Sequence, residues 1–86
     1  MDPTLHQKQG INHLNRVLNY ANFVVEDGLA TVHLTPEDWH VVADTLFHME
    51  TPAEMLPAEI KEYKLTAGNQ IIELTTPDHT IAVEMI

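Results

Sequence analysis

The stretch Leu29-Ala30-Thr31-Val32-His33-Leu34-Thr35-Pro36-Glu37-Asp38-Trp39 changes its period midway. Ala30, Val32 and Leu34 alternate with Thr31 and His33, the two-residue rhythm of a strand with one buried face. Thr35 then reads as a helix N-cap, and Pro36 suits the first helical position, where a backbone N–H would be left unbonded anyway. Glu37 and Asp38 favour the positive end of the helix dipole. The spacing predicts a helix from Pro36 to about Met49, with Trp39, Val42, Ala43, Leu46 and Phe47 as its buried stripe and the only tryptophan as core anchor.

Upstream, Asn12, Asn15, Asn19 and Asn22 recur at helical spacing. At about 100° per residue they occupy a stripe about 80° wide, while Ile11, Leu14, Val17, Leu18, Ala21 and Val25 gather on another face. Asp2 and Pro3 suit an N-cap and a first helical residue. A glycine inside a helix costs about 1 kcal/mol relative to alanine, so Gly10 is expected to set residues 3–9 apart from a main helix running from Ile11 to Glu26. Gly28 is the expected C-terminal stop.

Downstream, Pro52 and Pro57 break any long helix, leaving a loop with one helical turn. The rest reads as a three-stranded meander. Residues 60–67 place Tyr63, Leu65 and Ala67 on one face, Gly68-Asn69 turns the chain, and residues 70–76 place Ile72 and Leu74 inward. Thr76-Pro77-Asp78-His79 then turns into a last strand in which Ile81, Val83 and Met85 alternate with Ala82, Glu84 and Ile86. The order α-β-α-β-β-β predicts one compact α+β domain over residues 1–86, its two helices packed on one face of a small, mainly antiparallel sheet of about four strands. The last strand ends at Ile86 without a charged tail and is expected to be an exposed edge open to another chain.

A chain of 86 residues supports one small core. No run approaches the ~20 apolar residues of a membrane span, and Met1-Asp2-Pro3-Thr4 lacks the basic and apolar regions of a signal peptide, so a cytoplasmic protein without membrane contact is expected. The absence of cysteine excludes disulfides and thiolate metal sites and agrees with a reducing compartment. Thirteen acidic residues against four basic ones give a formal net charge of −9, unevenly spread. Residues 3–25 hold Lys8 and Arg16 and no acid, whereas twelve acids stand against Lys61 and Lys64 in residues 26–86. Such a body repels extended nucleic acid, whose affinity rests on phosphate neutralisation, and is steered toward basic surfaces.

Enzymatic readings find little support. Serine and cysteine, the commonest activated nucleophiles, are both absent, and Gly10, Gly28 and Gly68 are too isolated to form a phosphate loop. No cofactor is implied. His40, Asp44 and His48 sit at i, i+4 and i+8 of the second helix, a spacing in which adjacent pairs suit zinc or another divalent metal. At about 1.5 Å rise per residue the outer two are about 12 Å apart, so one ion cannot bind all three and a pair would need ligands from elsewhere. His33 and His79 read as surface polar residues, the latter beside Asp78 in a turn.

The amide stripe is the remaining signal. Asparagine is a poor helix former, so four on one face ask for a reason. Besides simple solvation, the readings are a seam against a partner or symmetry mate, where buried amides fix register, and a polar patch in which Arg16, Lys8, Tyr20 and Phe23 join the amides. The favoured expectation is a small acidic interaction protein of the immunity, antitoxin or phage-inhibitor type that sterically inhibits or regulates a basic partner such as a nucleic-acid-processing enzyme. Its contact residues would be Asn12, Asn15, Arg16, Asn19, Asn22, Glu37, Glu54, Glu59 and Glu62, with homo-oligomer formation through the first helix or the C-terminal strand. The alternative is a module that captures a nucleotide-like or other anionic molecule with Asn12, Arg16, Asn19 and Tyr20.

Overall fold

The computed structural model describes residues 4–86. In chain order it contains helix α1 (Leu5–Val24), strand β1 (Leu29–Leu34), helix α2 (Pro36–Ala43) continuing into a π turn (Asp44–His48), a single 3-10 turn (Ala53–Met55), and strands β2 (Glu62–Thr66), β3 (Ile71–Thr75) and β4 (Thr80–Met85). The helices pack on a four-stranded mixed sheet, the α+β arrangement expected from the sequence.

The first helix is one continuous element, which corrects the expected break at Gly10. Thr4 caps it: its hydroxyl accepts from the Gln7 amide at 3.1 Å, and the Gln7 side-chain oxygen accepts from the Thr4 amide at 2.8 Å. This reciprocal box satisfies two N–H groups that the helix start would leave unbonded. The expected roles of Asp2 and Pro3 lie outside the described residues. Gly10 is tolerated because α1 meets the π turn there, and a Cβ at that position would run into Thr45. Close helix approach thus outweighs the propensity cost.

Gly28 is not the helix stop either. The helix ends at Val24, Val25 is extended, and Glu26 and Leu29 exchange both backbone hydrogen bonds, at 2.9 and 3.0 Å, across Asp27 (φ 54°) and Gly28 (φ 78°). Two successive left-handed residues make a tight reverse turn of the Asp-Gly kind. Val25, expected in the core, is 38% exposed.

The sheet order is β1-β4-β3-β2, with β4 parallel to β1 and antiparallel to β3. The C-terminal strand therefore lies inside the sheet, and the expectation that it forms a free edge through which copies pair is overturned. The free edges are β1 and β2. β4 carries one acid, Glu84, between its two neighbours, whereas β2 carries Glu62 and Lys64, the kind of charge that protects an edge.

One core fills the space between helices and sheet. Leu14, Val17, Leu18 and Ala21 from α1 meet Trp39, Val42, Ala43 and Leu46, and below them lie Ala30, Val32, Ile72, Leu74, Ile81 and Val83. Trp39 also donates its indole N–H to the Val83 carbonyl at 3.0 Å. Phe47, expected in that stripe, is half-buried instead and stacks edge-on against Tyr63, ring centres 5.5 Å apart. The opposite sheet face carries polar pairs, His33 with Glu84 at 3.7 Å and Lys64 with Glu73 at 3.6 Å. Among the described residues, no helix is long and apolar enough to cross a membrane.

Candidate functional site

Burial of Leu14, Val17, Leu18 and Ala21 turns the opposite side of α1 to solvent. Asn12, Asn15, Arg16, Asn19 and Asn22 are all exposed, as the stripe requires. Two aromatic side chains share that surface, Tyr20 at 54% exposure and Phe23 at 86%. Exposing a phenylalanine so fully forgoes burial worth about 2 kcal/mol. The outer face of α1 is thus an acid-free ridge of amides and aromatics with Arg16 among them, on an acidic chain.

A cleft runs along each flank of the ridge. On one side Asn12, His13 and Arg16 face Glu37, Asp38 and Val41 at the start of α2. Just beyond, Arg16 and Tyr20 border a second recess with Val32 and Leu34 of β1. Arg16 donates to His13 Nδ1, and His13 Nε2 lies 3.4 Å from the Asp38 carboxylate, so the guanidinium is linked through an imidazole to the first turn of α2. Thr35 holds that turn by accepting from the Asp38 amide at 3.2 Å.

On the other flank, Leu18, Asn19 and Asn22 form one wall of a cleft of ≈ 270 Å³, and Glu59, Thr76, Pro77, Asp78 and His79 form the rest. The Thr76–His79 turn is locked by its own threonine. Thr76 Oγ1 donates to the His79 carbonyl at 2.8 Å and accepts from the His79 amide at 3.1 Å, while the Thr76 amide donates to the same carbonyl at 3.0 Å. His79 is not the plain surface residue that its turn position suggests: it is half-buried, and its Nε2 is closed off from solvent without a hydrogen-bond partner.

The structure therefore brings Asn12 and Arg16 together with Glu37, and Asn19 and Asn22 together with Glu59. Asn15 lies on the exposed ridge itself. Glu54, in the 3-10 turn, and Glu62, at the start of β2, are exposed but line neither flanking cleft. The four residues of the anionic-ligand alternative do not converge. Asn12 and Arg16 share a cleft with two carboxylates, Tyr20 borders the neighbouring recess, and Asn19 faces the opposite flank.

His40, Asp44 and His48 form no ligand set. The π turn shifts the phase of the chain after Asp44, its Met49 amide reaching back five residues to the Asp44 carbonyl at 2.8 Å. Asp44 instead faces His6 of α1, Nε2 to carboxylate 3.4 Å. Among the described residues no three His, Asp or Glu side chains stand close enough to hold one ion.

His13, Asp38, Asp78 and His79 were not legible as site residues. His13 stands three residues before Arg16 on one helix, a spacing that allows contact. Nothing local, however, places a turn from the far end of the chain beside α1. What fold and site together define is an α+β chain whose first helix presents an acid-free amide-aromatic ridge between two acid-bearing clefts. No known protein family, curated protein or solved structure matches the chain.

Proposed function

We propose that this chain is a binding protein that docks on a basic partner through the outer face of α1 and acts by covering that partner's surface. The carrying observation is the ridge itself: Phe23 and Tyr20 stand exposed among four asparagines and Arg16, with Glu37 and Asp38 on one flank and Glu59 and Asp78 on the other. Aromatic and arginine side chains at the centre of a patch supply most binding energy once water is excluded, and charged rims set partner choice and approach rate. The net charge of −9 extends that attraction to longer range. Exposed Glu54 and Glu62 contribute to steering rather than to contact.

A partner with a basic surface, of which a nucleic-acid-processing enzyme is one type, has the matching chemistry. Occupying such a surface inhibits or regulates by exclusion and needs no reaction on this chain. The test is affinity capture from the native host with the wild-type chain and with Phe23→Asp, followed by association-rate measurements on the captured protein over a range of salt. The expected result is a basic protein lost on Phe23→Asp, whose association slows steeply with salt and slows again in the Glu37→Gln/Glu59→Gln variant. Capture indifferent to Phe23→Asp, or rates indifferent to salt, would overturn the proposal.

A further inference from the structure

The cleft between α1 and the β3–β4 turn has a composition that selects among basic side chains. Glu59 and Asp78 supply carboxylates, Asn19 and Asn22 supply amides, and Leu18 and Pro77 supply apolar wall. No lysine or arginine lines it. Its volume, ≈ 270 Å³, is ample for a long side chain. One wall, the Thr76–His79 turn, is tied to itself through both the hydroxyl and the amide of Thr76. A wall residue, His79, also keeps a ring nitrogen that is shut off from water and bonded to nothing.

We infer that this cleft receives an arginine side chain of the partner. The inference rests on the reading of α1 as a docking face and identifies what that face grips. Arginine fits better than lysine for a geometric reason. Its planar guanidinium presents five N–H donors in a fixed fork, enough to meet carboxylates and amide oxygens on several walls, whereas an ammonium is a compact point charge that holds its water more strongly. The three methylenes of arginine lie along Leu18 and Pro77 while the head reaches Glu59 and Asp78, the usual division of such a side chain between apolar and polar surroundings. Charge-assisted hydrogen bonds of this type are about twice as strong as neutral ones. The opposite cleft is a poorer receptor, because Arg16 and His13 already face its carboxylates.

The experiment needs no knowledge of the partner. N-acetyl-arginine amide is titrated into the ¹⁵N-labelled full chain and followed by amide NMR, with the lysine and citrulline analogues as controls. The expected result is saturable shifts confined to residues 18–22, 59 and 76–79, at least tenfold weaker with the lysine analogue and absent with citrulline. The Glu59→Gln/Asp78→Asn variant, whose changes lie on exposed positions and spare Thr76, should lose them, while Phe23→Asp should retain them. Shifts that spread over the acidic surface, that are equal for arginine and lysine, or that survive Glu59→Gln/Asp78→Asn would overturn the assignment. Failure here with capture still sensitive to Phe23→Asp removes the arginine site alone, whereas arginine binding without such capture removes the docking face alone.

Discussion

Gly10 of α1 lies directly against Thr45 of the π turn: a Cβ at Gly10 would stand 2.7 Å from Thr45 Cβ and closer still to its hydroxyl oxygen. Thr45 cannot swing away, since it is fully buried and its Oγ1 donates to the Val41 carbonyl at 2.8 Å. Gly10→Ala should therefore destabilise the fold. Overpacking of about 1–3 kcal/mol opposes the ~1 kcal/mol that alanine gains in a helix. The net loss should read up to about 2 kcal/mol by urea unfolding, and a higher midpoint would mean that the two elements separate easily.

The Trp39 indole bonds the Val83 carbonyl across the core. Trp39→Phe removes that donor and leaves a void where the indole, only 3% exposed, is packed. Stability should fall by about 2–4 kcal/mol, seen as a lower denaturation midpoint with an unchanged slope.

At the start of α1, Thr4→Ala should cost about 1 kcal/mol through the lost cap. Gln7→Ala should cost more, because the buried Gln7 side chain also donates to Thr51 Oγ1 at 3.1 Å and so ties the helix start to the loop after the π turn. Comparing the two thermal melts checks the order; equal effects would assign the bond to Thr51 no weight.

The β2–β3 turn holds three left-handed residues in a row, Ala67 (φ 52°), Gly68 (φ 66°) and Asn69 (φ 67°). Asparagine and glycine accept that conformation, whereas alanine pays about 1 kcal/mol for it. Ala67→Gly should raise stability by about 0.5 kcal/mol, the rest being offset by greater freedom of the unfolded chain. A lower melting temperature would show that the methyl group makes a compensating contact.

Element types were legible wherever local chemistry decides them. The change of period at Leu34-Thr35-Pro36 marks strand and helix, because alternation buries one face of a strand and proline suits only the first turn of a helix. The exposed side of α1 was legible too, since a helix with one apolar stripe must show its other side to water. Gly10 was misread because its value lies in a neighbour 35 positions away, Thr45, which local propensity cannot see. Gly28 was misread because a helix stop and a tight turn both call for a left-handed glycine, and only the pairing of Glu26 with Leu29 separates them.

Half of the candidate site was legible for the same reason. Asn12, Asn15, Arg16, Asn19 and Asn22 share one helix face, and 100° steps place them without further information. Which carboxylates stand beside them was not. Glu37 and Glu59 come to the two flanks of α1 while Glu54 and Glu62 do not, and Asp78 and His79 arrive on a turn between the last two strands.

By itself the sequence determined that this chain builds α-β-α-β-β-β from a helix with an apolar and an amide face, and that its acids lie outside that helix. These follow from interactions over a few residues. Tertiary structure alone decided that the last strand enters the sheet between β1 and β3, and that the amide face is bounded by two clefts of opposite-end origin. Strand neighbours and cleft walls are set by which apolar surfaces bury one another, a competition among distant segments that no short stretch encodes.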